Sequence, residues 1–430
     1  MIGLILPLVG SLLSPLTLPE AISRARTHDA GLADFTAQAA GAEAQTDATR
    51  ANYLPKLKVD ANVMLWDKEQ TIAFSPLAPP TKLRDQVTTQ ATVQVIEPLV
   101  GLYSISKGVA LSEANTGVTR IQRQNRERQL AMDTVRAYYR TLQAQAIARA
   151  AAQQVESLAA QEKRVLSLEQ NGVLGKNDVL RLQVALAAAR QRSMEAQAHV
   201  EQGQAGLAIL CGASPNETFE LDPTPPTWAD EALPGLDAAR DQALRDRPEL
   251  AEAQARQDQA ETAVDLARAK MLPDVNAIAQ YQRTDGNKFA EKNALFAGLF
   301  LTWIPWEWGA TAKQIDVAGA QVNRAAAFEQ GMRNAISMDV MAAHVDVRTA
   351  ESQIAVAEGA VSQAEEALRL EKALMDAQKA TTTDVIDAET ALLQARVNLE
   401  NARTQRLIAR AGLRAATGLP IAGEAGEKNR

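Results

Sequence analysis

The groups able to do chemistry are few. Asp178 in KNDVLRLQVAL and Asp384 in TTTDVIDAETAL hold the same place in two helix starts 206 residues apart, and Asp387 follows Asp384 by one turn. Neighbouring carboxylates raise one another's pKa and attract cations. An Asp at a helix start is also an ordinary cap or first-turn residue that complements the helix dipole. His28, His199 and His344 fall in separate helical stretches without metal-ligand spacing and read as surface or packing residues. Cys211 follows an apolar run near a helix end and reads as a buried thiol rather than a nucleophile. No GxGxxG, Walker A or GxSxG pattern occurs. These residues predict no enzyme, no metal and no cofactor.

The composition agrees. Of 430 residues only 4% are aromatic and 23% are charged, with a net charge of −7. A mildly acidic chain without a basic, aromatic-interleaved stripe is a poor nucleic-acid binder. One cysteine excludes an internal disulfide framework. Residues 1–15 are apolar, too short to span a membrane, and read as a secretory signal or its remnant, with Val9-Gly10-Ser11 as a possible cleavage site.

The elements that must position Asp178 and Asp384 are written twice. Asp178-Val179-Leu180 matches Asp384-Val385-Ile386, Gly206-Leu207 matches Gly412-Leu413, and Met132-Asp133 matches Met338-Asp339 at the same offset. Nearer the N-terminus, RANYLP at Arg50 lies against RAKMLP at Arg268. The expected organisation is a first repeat over 16–220, a Pro-rich linker over 221–235, a second repeat over 236–418 and a flexible tail over 419–430. In the first repeat, strands are expected at about 57–66 and 86–97, a long helix at 102–169 and a helix at 177–211. In the second, strands are expected at about 274–283 and 294–304, a long helix at 310–378 and a helix at 382–417.

The strands alternate. Leu57, Val59, Ala61, Val63 and Leu65 point one way, Lys58, Asp60 and Asn62 the other; Val87, Thr89, Ala91, Val93 and Val95 oppose Thr88, Gln90, Thr92 and Gln94. Val275, Ala277, Ala279 and Tyr281 oppose Asn276, Gln280 and Gln282, although Ile278 breaks the polar row. In the last strand the outer row is taken as Ala297, Leu299, Leu301 and Trp303. This pattern fits a small sheet over a soluble core or a spanning sheet between lipid and water. The helices carry a sustained heptad: Val385, Ala388, Leu392, Ala395, Leu399, Ala402, Arg406, Ala409, Leu413, Ala416. That predicts side-by-side coiled helices, and alone it also fits a soluble periplasmic coiled-coil scaffold or adaptor protein. Four strands cannot enclose a pore, and lipid does not tolerate open sheet edges, so spanning strands would have to be pooled from several chains.

Over nearly its whole length the chain resembles the TolC-like outer-membrane efflux proteins. The resemblance is carried by LTLPEAI at Leu16, RANYLP and RAKMLP, WIPWEWG at Trp303, NGVLGKNDVLRLQVAL at Asn171 and TTTDVIDAETAL at Thr381. It implies a mainly α fold with a small membrane β part and two tandem structural repeats. Long coiled helices would form an α-barrel, and four strands per chain would contribute to a trimeric twelve-stranded β-barrel. It implies an exit duct of a tripartite efflux or secretion system in the outer membrane of a Gram-negative bacterium, extending into the periplasm. The partners would be a periplasmic adaptor, an inner-membrane RND or ABC pump and outer-membrane lipid. Lipid-facing residues would be Leu57, Val59, Val63, Val93, Val95, Leu299, Leu301 and Trp303. Asp384 and Asp387 match the family's aperture motif, with Asp178 as the first-copy equivalent. Gly172, Leu174, Gly175 and Thr382 in the turns would meet the adaptor. Two departures stand out: Gln378 replaces the glycine found at Gly172, and Ala380 stands where some members carry a basic residue that holds the entrance closed.

Overall fold

The computed structural model describes residues 15–73 and 79–421. The leader expected over 1–15 and the tail expected over 419–430 fall outside these, apart from residues 15 and 419–421.

Pro19 sits in the first turn of α1 (Leu18–His28), where the missing N–H would have had no helical partner. The helix breaks at Asp29, and α2 (Ala30–Arg50) follows. Leu54-Pro55 halts it, because the residue before a proline avoids helical geometry. Then come β1 (Lys56–Leu65), β2 (Gln70–Ile72), β3 (Thr81–Pro98), α3 (Gly101–Gln170) and α4 (Lys176–Leu210). The second half runs α5 (Leu236–Asp246), α6 (Pro248–Ala269), β4 (Asp274–Asn287), β5 (Asn293–Thr302), α7 (Ala310–Asp376) and α8 (Thr382–Ala416). The strand ends differ from expectation. β3 starts at Thr81 and β4 reaches Asn287. The added segments TKLRD and TDGN carry no apolar alternation; pairing of Arg84 with Asn287, and of β2 with β3, holds them instead.

The described residues form two compact units, and each draws on both halves of the sequence. One contains residues up to 35, 123–250 and those from 332 onward. Its largest core joins Leu18 and Ile22 of α1 to Val135 and Tyr138 of α3, Leu207 and Cys211 at the end of α4, and Trp228 of the linker. Burial pushes the Cys211 thiol up to about 11, which keeps it protonated at neutral pH. Gly212 and Gly418 end α4 and α8 at φ of 72° and 83°. A Cβ on Gly212 would collide with His28 at the end of α1, and one on Gly418 would stand 2.8 Å from Asp246 Cβ at the end of α5. The inward row of α8 includes Val385, Leu392, Ala395, Leu399, Ala402, Ala409, Leu413 and Ala416. Ala388 is a correction: it is half-buried, and Glu389 takes the inward place. Arg406 lies beside the row because it pairs with Asp230 of the linker. Arg410 reaches Glu351 and the Glu231 carbonyl, and Arg414 pairs with Glu231 at 2.8 Å. Spaced by four, these arginines fasten the linker along one side of α8.

The other unit contains residues 36–122 and 251–331. Its strands form one antiparallel sheet in the order β1-β3-β4-β5, with β2 pairing to β3. Its helices meet through small and polar groups. Thr46 Oγ1 lies 2.9 Å from Ser112 Oγ and 3.0 Å from Thr116 Oγ1, and Lys107 pairs with Asp265 at 2.8 Å. The sheet buries little, and every residue of β1 is exposed.

Candidate functional surfaces

Strand register sorts the sheet into two faces. Leu57, Val95, Ala279 and Ala297 lie abreast; Val59, Val93, Tyr281 and Leu295 form the next row on that face. Leu299 faces Ala277 and Leu301 faces Val275 in the same alternation. The strand residues expected to face lipid therefore share one surface, and Leu57, Val59, Val63, Val93, Val95, Leu299 and Leu301 are each 40–72% exposed. Trp303 follows β5 and is exposed, and its indole N–H donates to the Met271 carbonyl at 3.3 Å. The opposite face carries Lys58, Gln94 and Gln280 in one row and Asp60, Thr92 and Gln282 in the next. An apolar surface this continuous is suited to an apolar partner rather than to water. No helix among the described residues is long and apolar enough to cross a membrane. The sheet ends in two open edges, β1 and β5. Beyond β5, Trp306 and Trp308 are both exposed and meet edge to face at 6.0 Å.

At the helical hairpins, α3 and α7 end in the same cap. The Gly172 N–H donates to Glu169 O at 2.8 Å and the Val173 N–H to Leu168 O at 2.9 Å. The Gln378 N–H donates to Met375 O at 3.0 Å and the Lys379 N–H to Leu374 O at 2.8 Å. This cap needs one left-handed residue, and φ is 73° at Gly172 and 58° at Gln378. The missing glycine therefore leaves the turn intact, with Gln378 held in a conformation that costs a side-chain residue about 1 kcal/mol.

The starts of α4 and α8 differ. The Asp384 carboxylate accepts from the Thr381 N–H at 2.8 Å and from its hydroxyl at 2.7 Å, while the Asp384 N–H donates to Thr381 Oγ1 at 3.3 Å. This is a complete capping box. The backbone N–H of Thr381, with the hydroxyl behind it, holds the Asp384 carboxyl below the usual carboxylate range. Gly175 caps α4 with no side chain, and the Asp178 N–H reaches its carbonyl at 3.0 Å. Asp384 and Asp387 are exposed, and Asp178 is half-buried. Among the expected contact residues, Gly172 and Gly175 are exposed, while Leu174 is half-buried against the tip core. Thr382 is a correction: at 2% exposure it is off the accessible surface, because it stands one turn before buried Val385 on the inward row. Arg181 Nη1 donates to Thr383 Oγ1 at 3.0 Å and ties the start of α4 to that of α8.

Behind the turns, Leu158, Val165, Val179, Leu182, Leu368, Met375, Val385 and Leu392 form a core from all four helices. Glu389, 4% exposed, sits among α3, α7 and α8. Lys372 Nζ lies 2.7 Å from its carboxylate and donates to Ser157 Oγ at 2.9 Å, the Ser157 hydroxyl bonds the same carboxylate, and Gln154 Nε2 donates to the Glu389 carbonyl at 3.3 Å. Sequence reasoning missed this cluster, although its signal was present. Glu389 lies four residues after Val385 and three before Leu392, and Lys372 lies four after Leu368 and three before Met375. Two opposite charges thus stand in two facing apolar stripes.

Residues 239–419 match the family model of the outer membrane efflux protein. No curated protein matches the chain. Solved structures share its fold. They include the outer-membrane channel OprN (TM-score 0.80, 19% identity, covering 94% of this chain and 90% of that one). VceC from Vibrio cholerae gives 0.78 at 18% identity, covering 94% and 96%. The CmeC outer membrane channel of Campylobacter jejuni gives 0.80 at 15% identity, covering 98% and 92%. The family match and the shared fold bear out the resemblance to TolC-like outer-membrane efflux proteins.

Proposed function

We infer that this chain, which carries the outer membrane efflux protein domain, is the outer-membrane exit duct of a tripartite efflux or secretion system. One observation carries the reading: a sheet with an exposed apolar face, a polar opposite face and two open edges. β1 and β5 run in opposite directions, since each neighbouring pair between them is antiparallel. A second chain's β1 beside β5 continues the alternation, and three chains close a twelve-stranded barrel without edges. Its apolar face meets outer-membrane lipid and its polar face encloses water. The α3/α4 and α7/α8 hairpins extend the duct into the periplasm, where their tips meet a periplasmic adaptor coupled to an RND or ABC pump. The duct itself performs no chemistry and conducts passively.

The protein should fractionate with the outer membrane, need detergent for extraction, run as a trimer and conduct ions in a planar bilayer. A monomer that dissolves freely without detergent would overturn the reading in favour of a soluble coiled-coil scaffold. Asp384 and Asp387 from three chains form the periplasmic aperture and attract cations, with Asp178 nearby. Asp384→Ala with Asp387→Ala should weaken block by multivalent cations at least several-fold; unchanged block removes both residues from the aperture.

A further inference from the structure

The polar face of the sheet is interrupted. Lys56, Ile96, Ile278 and Gly298 lie abreast on it, so Ile278 is one member of an apolar row across three strands. Phe296 and Phe300 flank Gly298 on the same face, their rings 6.5 Å apart. A Cβ on Gly298 would lie 3.7 Å from Phe300 Cε2, so the ring leans over the glycine. Both rings remain open to solvent, at 42% and 47% exposure. Gln94, Gln280 and Asn276 border this island. At its β1 side stand Lys58, which pairs with Asp60 at 3.0 Å, and Lys56, which has no ion-pair partner among the described residues.

We propose that this island binds amphiphilic anions, solutes with an aromatic or alkyl body and a carboxylate or sulfonate, as they pass along the polar face. The inference rests on the reading of that face as the wall of a water-filled duct. Amide rows are indifferent to a passing solute, because each hydrogen bond to it replaces one to water. Exposed phenyl rings are not indifferent, since covering them removes apolar surface from water. Charge selects among apolar solutes: Lys56 lies three strand spacings from Gly298, roughly 14 Å, and attracts the anionic end. Closing the barrel also brings the next chain's β1, with its own lysines, alongside β5.

The test uses the full-length protein in planar bilayers with 2-naphthalenesulfonate, 2-naphthol and methanesulfonate as probes. Naphthalenesulfonate should give resolved current blockades, and methanesulfonate none. Phe296→Gln with Phe300→Gln should shorten the blockades about tenfold, while Phe296→Tyr, which keeps the ring, should preserve them. Lys56→Gln should shorten them about threefold for the sulfonate and leave those of 2-naphthol unchanged. Phe289→Gln, in the loop between β4 and β5, should change nothing. Conducting channels whose blockades are equal in wild type and the double variant overturn the proposal alone. A protein that forms no channels overturns the duct reading and this one with it.

Discussion

At the first hairpin α4 starts behind Gly175; at the second α8 starts behind Thr381. The turns before them share one backbone cap, yet the first uses glycine at the left-handed position and the second uses Gln378. Inside, the second hairpin holds Lys372 and Glu389, where the first has Leu166 and Gln183. Outside, the first exposes Val173, Leu180 and Val184. The second hairpin is thus fastened by side-chain polar contacts at its cap and its core, and tolerates a strained residue between them. The first is capped by backbone alone and leaves an apolar flank open, and its polar side chains Ser157, Gln154 and Arg181 turn to the second hairpin. One fold template accepts either means of capping a helix start.

Substitutions can break this contrast or sharpen it, and unfolding of the purified protein reads most of them. Lys372→Met should have the largest effect, about 2–3 kcal/mol, because it strands the Glu389 carboxylate in an apolar core. Adding Glu389→Leu should restore most of the loss; failure to restore it would show that the cluster does more than satisfy its own charges. Thr381→Ala should cost about 1 kcal/mol by opening the capping box. Gly175→Thr should stabilise the first hairpin by about 0.5 kcal/mol by building the same box with Asp178, since a Cβ there would lie 3.7 Å from Asp178 Oδ2. Gln378→Gly should also stabilise, by about 0.5 kcal/mol, because relief of the left-handed backbone outweighs the added unfolded-state freedom.

The smallest effect is on acid stability. The folded Asp384 carboxyl titrates below its unfolded value. Its contribution is therefore complete above the ordinary carboxylate pKa and is lost as pH falls through the lower folded value. Asp384→Asn should flatten that part of the pH profile, and an unchanged profile would show that the capping box does not persist in solution.

Much of this was legible in the sequence. Period-two alternation placed β1 and the apolar half of β3, and the heptad placed the α8 core row from Leu392 onward, because in both cases apolar spacing and burial coincide. The charged ends of β3 and β4 were not legible, since backbone pairing alone holds them. Glu389 was hidden by its neighbour: Ala388 fits the ladder by composition, but a partner on α7 drew the glutamate inward. Thr382 was misplaced for a related reason, as a polar residue in a turn motif reads as surface until the helix phase is fixed by Val385. The capping box was half-visible, with Asp384 recognised as a cap but Thr381 unassigned.

The core that joins residues near 16–22, 131–142, 207–229 and Ala411 with Ile421 also sets a schedule. Its earliest and latest contributors are separated by nearly the whole chain, so the ribosome must release almost everything before that centre can close. A partial chain lacks this centre, and contacts this distant in sequence form slowly. During that interval the unpaired strand edges stay open to wrong pairing, and truncated products should be cleared by proteases rather than accumulate.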